Sequence, residues 1–240
     1  MAIILIGGTK GGTGKTTSVI NLCCEALNDG KDVILVDCDR QASASNWIQV
    51  RDEAIKKDPT LKRIPSIQKY GIGVKNELLE LNKRYEHVFI DAGGHDSVEL
   101  RSALTVADIL YVPVSPTQND LWGLSALIQM ITDVRPFNET LKTVIFPNLV
   151  DPNPSIKTLE IAIKALQDAL GDDEGISISE CSIKRRICYV HSIPKGRGAS
   201  EMDNVNKKSI EELRKLYNEI FSYVKDDPKK NKILKKLQEV

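Results

Sequence analysis

The stretch Thr9-Lys10-Gly11-Gly12-Thr13-Gly14-Lys15-Thr16-Thr17 stands just beyond the apolar run Ala2-Ile3-Ile4-Leu5-Ile6, and a helical pattern starts at its end. A strand, a glycine-rich turn and a helix in that order form the setting in which a loop binds phosphate. Backbone N–H groups and the helix N-terminus make a concave, partly positive anion site there. Gly11, Gly12 and Gly14 let the backbone approach phosphate oxygens, Lys15 reaches the β and γ oxygens, and the Thr16 hydroxyl holds Mg²⁺. The pattern G-x-x-x-x-G-K-[ST] fails at one position, because Thr9 stands where it asks for glycine. An additional lysine, Lys10, lies five residues before Lys15. A plain strand-to-helix turn has no use for so much lysine and threonine, so the stretch is a nucleotide site.

The octet Lys10-Gly11-Gly12-Thr13-Gly14-Lys15-Thr16-Thr17 resembles the deviant Walker A motif of the ParA/MinD ATPase superfamily. The resemblance implies ATP and Mg²⁺ as cofactors, with Lys10 through Thr17 contacting nucleotide. It also implies a homodimer formed on ATP binding, in which Lys10 reaches the partner subunit's nucleotide.

Two further acidic motifs fit such a site. Val33-Ile34-Leu35-Val36-Asp37-Cys38-Asp39 places two carboxylates at a strand end, two residues apart and so on one side of an extended chain. Carboxylates beside a triphosphate hold Mg²⁺ or its waters and orient the attacking water. Asp37-Cys38-Asp39-Arg40-Gln41 resembles the family's D-x-D-P-Q switch I, which implies Asp37 on the metal side and Asp39 as the water-orienting catalytic residue. Arg40 stands where the family usually has proline. Val88-Phe89-Ile90-Asp91-Ala92-Gly93-Gly94 matches a Walker B strand followed by switch II, with Asp91 toward Mg²⁺ and Gly93 and Gly94 responding to the γ-phosphate. His95 follows them without a visible partner. By the same resemblance Asn148 hydrogen-bonds the base, and the loop around Pro194 closes over it. Turn formation explains those two residues nearly as well.

The remaining apolar runs, Ile109–Val114, Val144–Phe146 and a weaker alternating one at Ile176–Ile178, recur between helical patterns at Thr17–Asn28, Val74–Lys83 and Ser97–Ala107. Runs apolar throughout suit a parallel sheet covered on both faces. The expected fold is α/β, a doubly wound, mostly parallel sheet flanked by helices, with ligands at the carboxyl ends of the strands. A single ATPase domain over residues 1–225 and a basic tail over 226–240 is the expected organisation. Residues 51–69 are charged, carry Pro59 and Pro65, and read as a surface excursion around a short strand. Near the end, Ile210, Leu213, Tyr217, Ile220, Phe221 and Val224 form one stripe of a helix, which Pro228 interrupts.

The 240 residues carry 33 basic and 33 acidic side chains, yet Cys181–Val240 holds 15 of the former and 8 of the latter. That split points to an anionic partner for the C-terminal quarter. The five cysteines show no metal or C-x-x-C spacing. No apolar run approaches the ~20 residues that span a bilayer, and the first residues do not read as a signal peptide, so a cytoplasmic protein is expected.

Among the functions this superfamily covers, the nitrogenase iron protein is excluded, because it needs cluster-ligating cysteines where this chain has none between Cys38 and Cys181. The resemblance favours a ParA-type partition ATPase, nucleoid-associated, that binds DNA without sequence preference and works with a centromere-binding, ParB-type adaptor. Lys184, Arg185, Arg186, Lys195, Arg197, Lys207 and Lys208 are the candidate DNA contacts. A MinD-type membrane-cycling ATPase is the alternative, with Lys232–Leu237 as a weakly amphipathic anchor that lacks Trp and Phe. Membrane binding is therefore not expected. A protein compartment in place of DNA as cargo remains open, as do small-molecule synthetases and metabolic kinases of related fold.

Overall fold

A computed structural model of the chain describes residues 1–117, 123–153, 155–171 and 175–225. The basic tail, with Pro228 and the possible anchor, lies outside the described residues. Seven strands, β1 (Ala2–Ile6), β2 (Val33–Asp37), β3 (Ser66–Gln68), β4 (His87–Asp91), β5 (Ile109–Val114), β6 (Lys142–Pro147) and β7 (Ile176–Ile178), form one sheet in the order β3-β2-β4-β1-β5-β6-β7. Every pairing is parallel. Among the described residues the helices are α1 (Lys15–Asn28), α2 (Ser43–Lys57), α3 (Val74–Leu81), α4 (Val98–Leu104), α5 (Leu124–Val134), α6 (Thr158–Leu170), α7 (Ile187–Ser192) and α8 (Lys207–Lys225).

The continuous apolar strands are explained by cover on both faces. Ala2, Ile4 and Ile6 of β1 pack with α1, α2 and α8, whereas Ile3 and Leu5 pack with α3, α4 and α5. The C-terminal stripe folds as the spacing predicts. Leu213, Tyr217, Ile220 and Phe221 are buried, and Leu216 joins them. Ser97 starts α4 by accepting the Leu100 N–H at 3.1 Å, the capping expected of a serine before an apolar run.

The short strand expected within residues 51–69 is present, while the stretch before it starts as helix rather than as a loose excursion. Its first seven residues continue α2, and Ser66–Gln68 is the edge strand β3. Charge misleads here, because Arg51 is fully buried rather than solvated. Its guanidinium grips both oxygens of Glu201 at 2.8 and 2.9 Å and donates to the Lys62 and Gly196 carbonyls. A buried arginine is tolerated only when paired in this way.

Register sets the site. Asp91 pairs with Ile6 on one side and Asp37 on the other, so both carboxylates and the end of β1 meet at the carboxyl edge of the sheet.

At the opposite end of β4, His87 is buried with its ring edge-on to Phe221 at 4.7 Å. Burial holds its pKa down to about 4 although Glu86 opposes that shift. The unfolded chain, at about 6.5, takes up this proton first, so the histidine's contribution is intact above pH 6.5 and is lost as pH falls toward 4. His87→Leu should therefore shrink the stability difference between pH 7 and pH 5 measured by urea denaturation. An unchanged difference would show that other groups govern acid unfolding.

Candidate active site

Gly7-Gly8-Thr9-Lys10-Gly11-Gly12-Thr13 leaves β1 as a loop, and Gly14, in the left-handed region at φ 88°, opens α1. The conformation demands glycine, and so does the space. A Cβ on Gly14 would sit 2.4 Å from Nδ2 of Asn148, which donates to the Thr13 carbonyl at 2.7 Å. Lys15 is buried, and its ammonium donates to the Lys10 carbonyl at 2.6 Å, spanning the loop. Burial lowers its pKa, while Asp91 and Asp39 pull it back up.

Asp91 is fully buried at the end of β4, with the Thr16 side chain as a close polar neighbour but no full hydrogen bond to either carboxylate oxygen. Burial lifts its pKa to about 7, helped by Asp37 and Asp39 and opposed by the neighbouring Thr16 side chain and by Lys15. Two unsatisfied hard oxygens next to a threonine hydroxyl at a helix N-terminus fit a Mg²⁺ ion or its water shell. No cluster of three carboxylate, histidine or cysteine side chains forms a metal cage among the described residues. Thr16 and Asp91 would hold such an ion together with phosphate oxygens and water, and it would neutralise charge on the phosphates.

Asp37, expected on the metal side with Asp91, pairs beside it in the sheet and accepts hydrogen bonds from the start of α2. One oxygen accepts the Ser45 N–H at 2.8 Å and the Ser45 hydroxyl at 2.7 Å, and the other accepts the Asp39 N–H at 3.0 Å. It fixes the start of α2 and the loop before it, and Asp91 keeps the free oxygens. Asp39 lies on the wall of an open cavity of about 660 Å³ shared with Gly11, Lys15, Thr16, Arg40 and His95. Its Oδ1 accepts the Gln41 N–H at 3.0 Å. Gly93 lies against the Asp39 carboxylate, and Gly94 lines the same cavity. A Cβ on Gly94 would lie 2.7 Å from Cα of Gly11 and 2.9 Å from the Lys10 carbonyl, so this turn packs backbone to backbone against the phosphate loop. Lys10 is exposed, as a residue reaching outward must be.

A second cavity of about 160 Å³, mostly apolar, opens from Gly14 and Thr17 and is walled by Asn148, Ile183, Tyr189 and Ile193. Its position beside the phosphate loop suits a base. Asn148 walls this cavity while its amide nitrogen serves the Thr13 carbonyl. Pro194 does not line this cavity. It is exposed, and Ile193 provides the wall instead.

The seven basic candidates separate. Arg186 is ion-paired with Glu212 at 2.5 Å and Arg197 with Asp58 at 2.5 Å, so both are ties within the fold. Lys184 and Arg185 line the base-side cavity, and Arg185 is exposed as well. Lys195, Lys207 and Lys208 are exposed. Sequence reading misses Ser45, Glu99 and the Arg51–Glu201 pair, none of which sits in a recognisable motif. Two non-glycine residues in the left-handed region, Ala42 and Leu149, flank the site at the start of α2 and just after Asn148. Such conformations cost about 1–3 kcal/mol and concentrate at functional loops.

The family model for the CobQ/CobB/MinD/ParA nucleotide binding domain matches residues 4–197, from β1 to the loop after α7. The chain belongs to that family. It is thus a member of the ParA/MinD group of ATPases. It is 23% identical over 220 residues to the maintenance of carboxysome distribution protein A of Halothiobacillus neapolitanus, covering 91% of this chain and 95% of that protein. It is 28% identical over 170 residues to the chromosome partitioning protein ParA of Caulobacter vibrioides, covering 56% of this chain and 64% of that one. The ATP complex of a McdA variant from Cyanothece shares the fold with a TM-score of 0.72 at 15% identity, over 95% of this chain and 97% of that one.

Two variants test the site. Gly94→Ala should weaken ATP binding at least tenfold with little change in secondary structure by circular dichroism, because the new Cβ can enter only by moving the phosphate loop; wild-type affinity would refute the contact. Asp91→Asn removes an unpaired buried charge, so its melting temperature without nucleotide should exceed that of the parent. In the same variant Mg²⁺ should no longer tighten ATP binding. A lower melting temperature would mean that Asp91 has a partner in solution.

Proposed function

We propose that the chain is a ParA-type partition ATPase. It binds Mg·ATP between two subunits, each offering Lys10 to the other's nucleotide, and in that form binds DNA without sequence preference. Asp39 orients the attacking water, Lys15 and the loop amides stabilise charge on the phosphates, and hydrolysis is slow until a ParB-type adaptor engages. The observation that carries this reading is the joining of an exposed Lys10 to a buried Lys15 on one loop, above an unpartnered Asp91. One lysine serves the chain's own nucleotide and the other is free to serve a partner's.

DNA contact falls to the exposed cations. Lys207 and Lys208 occupy the first turn of α8, the wrong end of a helix dipole for positive charge. Their loss should not destabilise the helix, so an effect on DNA binding is not an unfolding effect. A second reading, a positioning ATPase with a protein compartment as cargo, is supported by the nearly full-length match to the carboxysome-distribution relative. Both readings share the DNA-bound dimer. Among the described residues no helix is long and apolar enough to cross a membrane.

Binding to random-sequence duplex and to anionic liposomes, each with ATP, ADP or no nucleotide at two salt concentrations, tests the proposal. Salt-sensitive DNA binding with ATP alone is expected, and the Lys207→Ala/Lys208→Ala variant should bind more weakly with a flatter salt slope while keeping its ATP affinity. ATP-dependent liposome binding in place of DNA binding would overturn the reading in favour of membrane cycling. Lys15→Ala should abolish the nucleotide dependence altogether.

A further inference from the structure

Arg40 sits at the apex of a tight turn on the wall of the phosphate cavity. The Asp39 carbonyl accepts the Ala42 N–H at 2.8 Å, so Arg40 occupies the second position of a β-turn. Proline is favoured there because its fixed φ suits the turn, and most other residues are accepted. An arginine thus keeps the turn and adds a long cationic side chain beside Asp39.

That side chain is weakly held. Its Nη2 is 3.4 Å from Oε1 of Glu99, and its guanidinium lies 5.9 Å from the Tyr70 ring centroid. The arginine side chain is 73% exposed, whereas Glu99 is 6% exposed. The same glutamate oxygen accepts the Gly71 N–H at 3.0 Å, so Glu99 ties the loop after β3 to α4 whether or not Arg40 is present. A long, exposed ion pair contributes little. A terminal phosphate, with more charge and three oxygens, matches a guanidinium fork far better.

We infer that Arg40 is an additional catalytic residue of the proposed ATPase, a guanidinium supplied from its own subunit to the γ-phosphate, with Glu99 as the carboxylate that competes for it. The inference rests on the ATPase reading. Charge placed at the γ-phosphate strengthens as the phosphoryl group transfers, so Arg40 acts on hydrolysis as well as on recognition of ATP over ADP. Its tie to Glu99 links that charge to the helix following the Gly93–Gly94 turn.

The test compares Arg40→Ala, Arg40→Pro, Arg40→Lys, Glu99→Gln and the Arg40→Ala/Glu99→Gln double variant. Readouts are affinity for a non-hydrolysable ATP analogue, affinity for ADP, and kcat. Arg40→Ala and Arg40→Pro should each weaken analogue binding about tenfold while leaving ADP binding unchanged, in the range of one charge-assisted hydrogen bond. Each should lower kcat at least tenfold, and lysine should recover part of both losses. Proline separates charge from turn geometry, since it preserves the turn. Glu99→Gln keeps an acceptor for Gly71 but frees Arg40, so analogue binding should tighten severalfold, and that gain should vanish in the double variant. A wild-type ratio of analogue to ADP affinity in Arg40→Ala, wild-type kcat in Arg40→Pro, or a Glu99→Gln gain that survives without Arg40 would overturn the inference. If the unmodified chain binds neither nucleotide, the ATPase reading itself falls and the inference with it.

Discussion

A buried carboxylate with neither oxygen hydrogen-bonded is an expensive thing to place in a sheet, and Asp91 is such a group at the end of β4. The neighbouring Thr16 side chain and, more weakly, the buried ammonium of Lys15 offset part of that cost, and Lys15 carries a burial cost of its own. Neither offset satisfies the carboxylate fully. The parallel register that sets Asp91 between Ile6 and Asp37 makes this unavoidable. A triphosphate with a divalent cation would relieve both costs at once.

Around Asp91 hydrogen bonds tie the elements of the site together. Asp37 anchors α2 through Ser45, and Arg51 on the same helix anchors the loop after α7 through Glu201. That loop is also held to α1, where Asn21 accepts the Ala199 N–H at 2.7 Å. The phosphate side and the base side of the site are therefore joined by hydrogen bonds through α1 and α2. Beside this frame the Asp39–Arg40–Gln41 turn and the Gly93–Gly94 turn lie together at the cavity, Gly93 against the Asp39 side chain and Gly94 in backbone contact with the phosphate loop.

Much of this is legible in the chain. The parallel sheet follows from runs such as Ile109–Val114 that are apolar at every position, and the phosphate loop from glycines and lysines between strand and helix. Residues 51–57 mislead because a charged residue is normally a solvated one, and only the distant Glu201 makes Arg51 an interior group. Asp37 and Asp91 look alike in sequence as carboxylates at strand ends, and what distinguishes them in the fold is Ser45, eight residues on from Asp37, whose hydroxyl and amide donate to Asp37. Pro194 stands out as a turn residue beside the apolar Ile193, yet it is Ile193 that lines the base-side cavity. Such pairings are decided by tertiary distance, which local spacing does not encode.

The most direct test of the central claim, that two subunits share ATP through Lys10, is sedimentation velocity of the chain with Mg·ATP, with Mg·ADP and without nucleotide, beside Lys10→Ala. The account predicts a dimer with Mg·ATP alone, a monomer in the other two conditions, and a Lys10→Ala variant that binds ATP yet stays monomeric. A dimer that forms without nucleotide, or one that persists unchanged in Lys10→Ala, would contradict it.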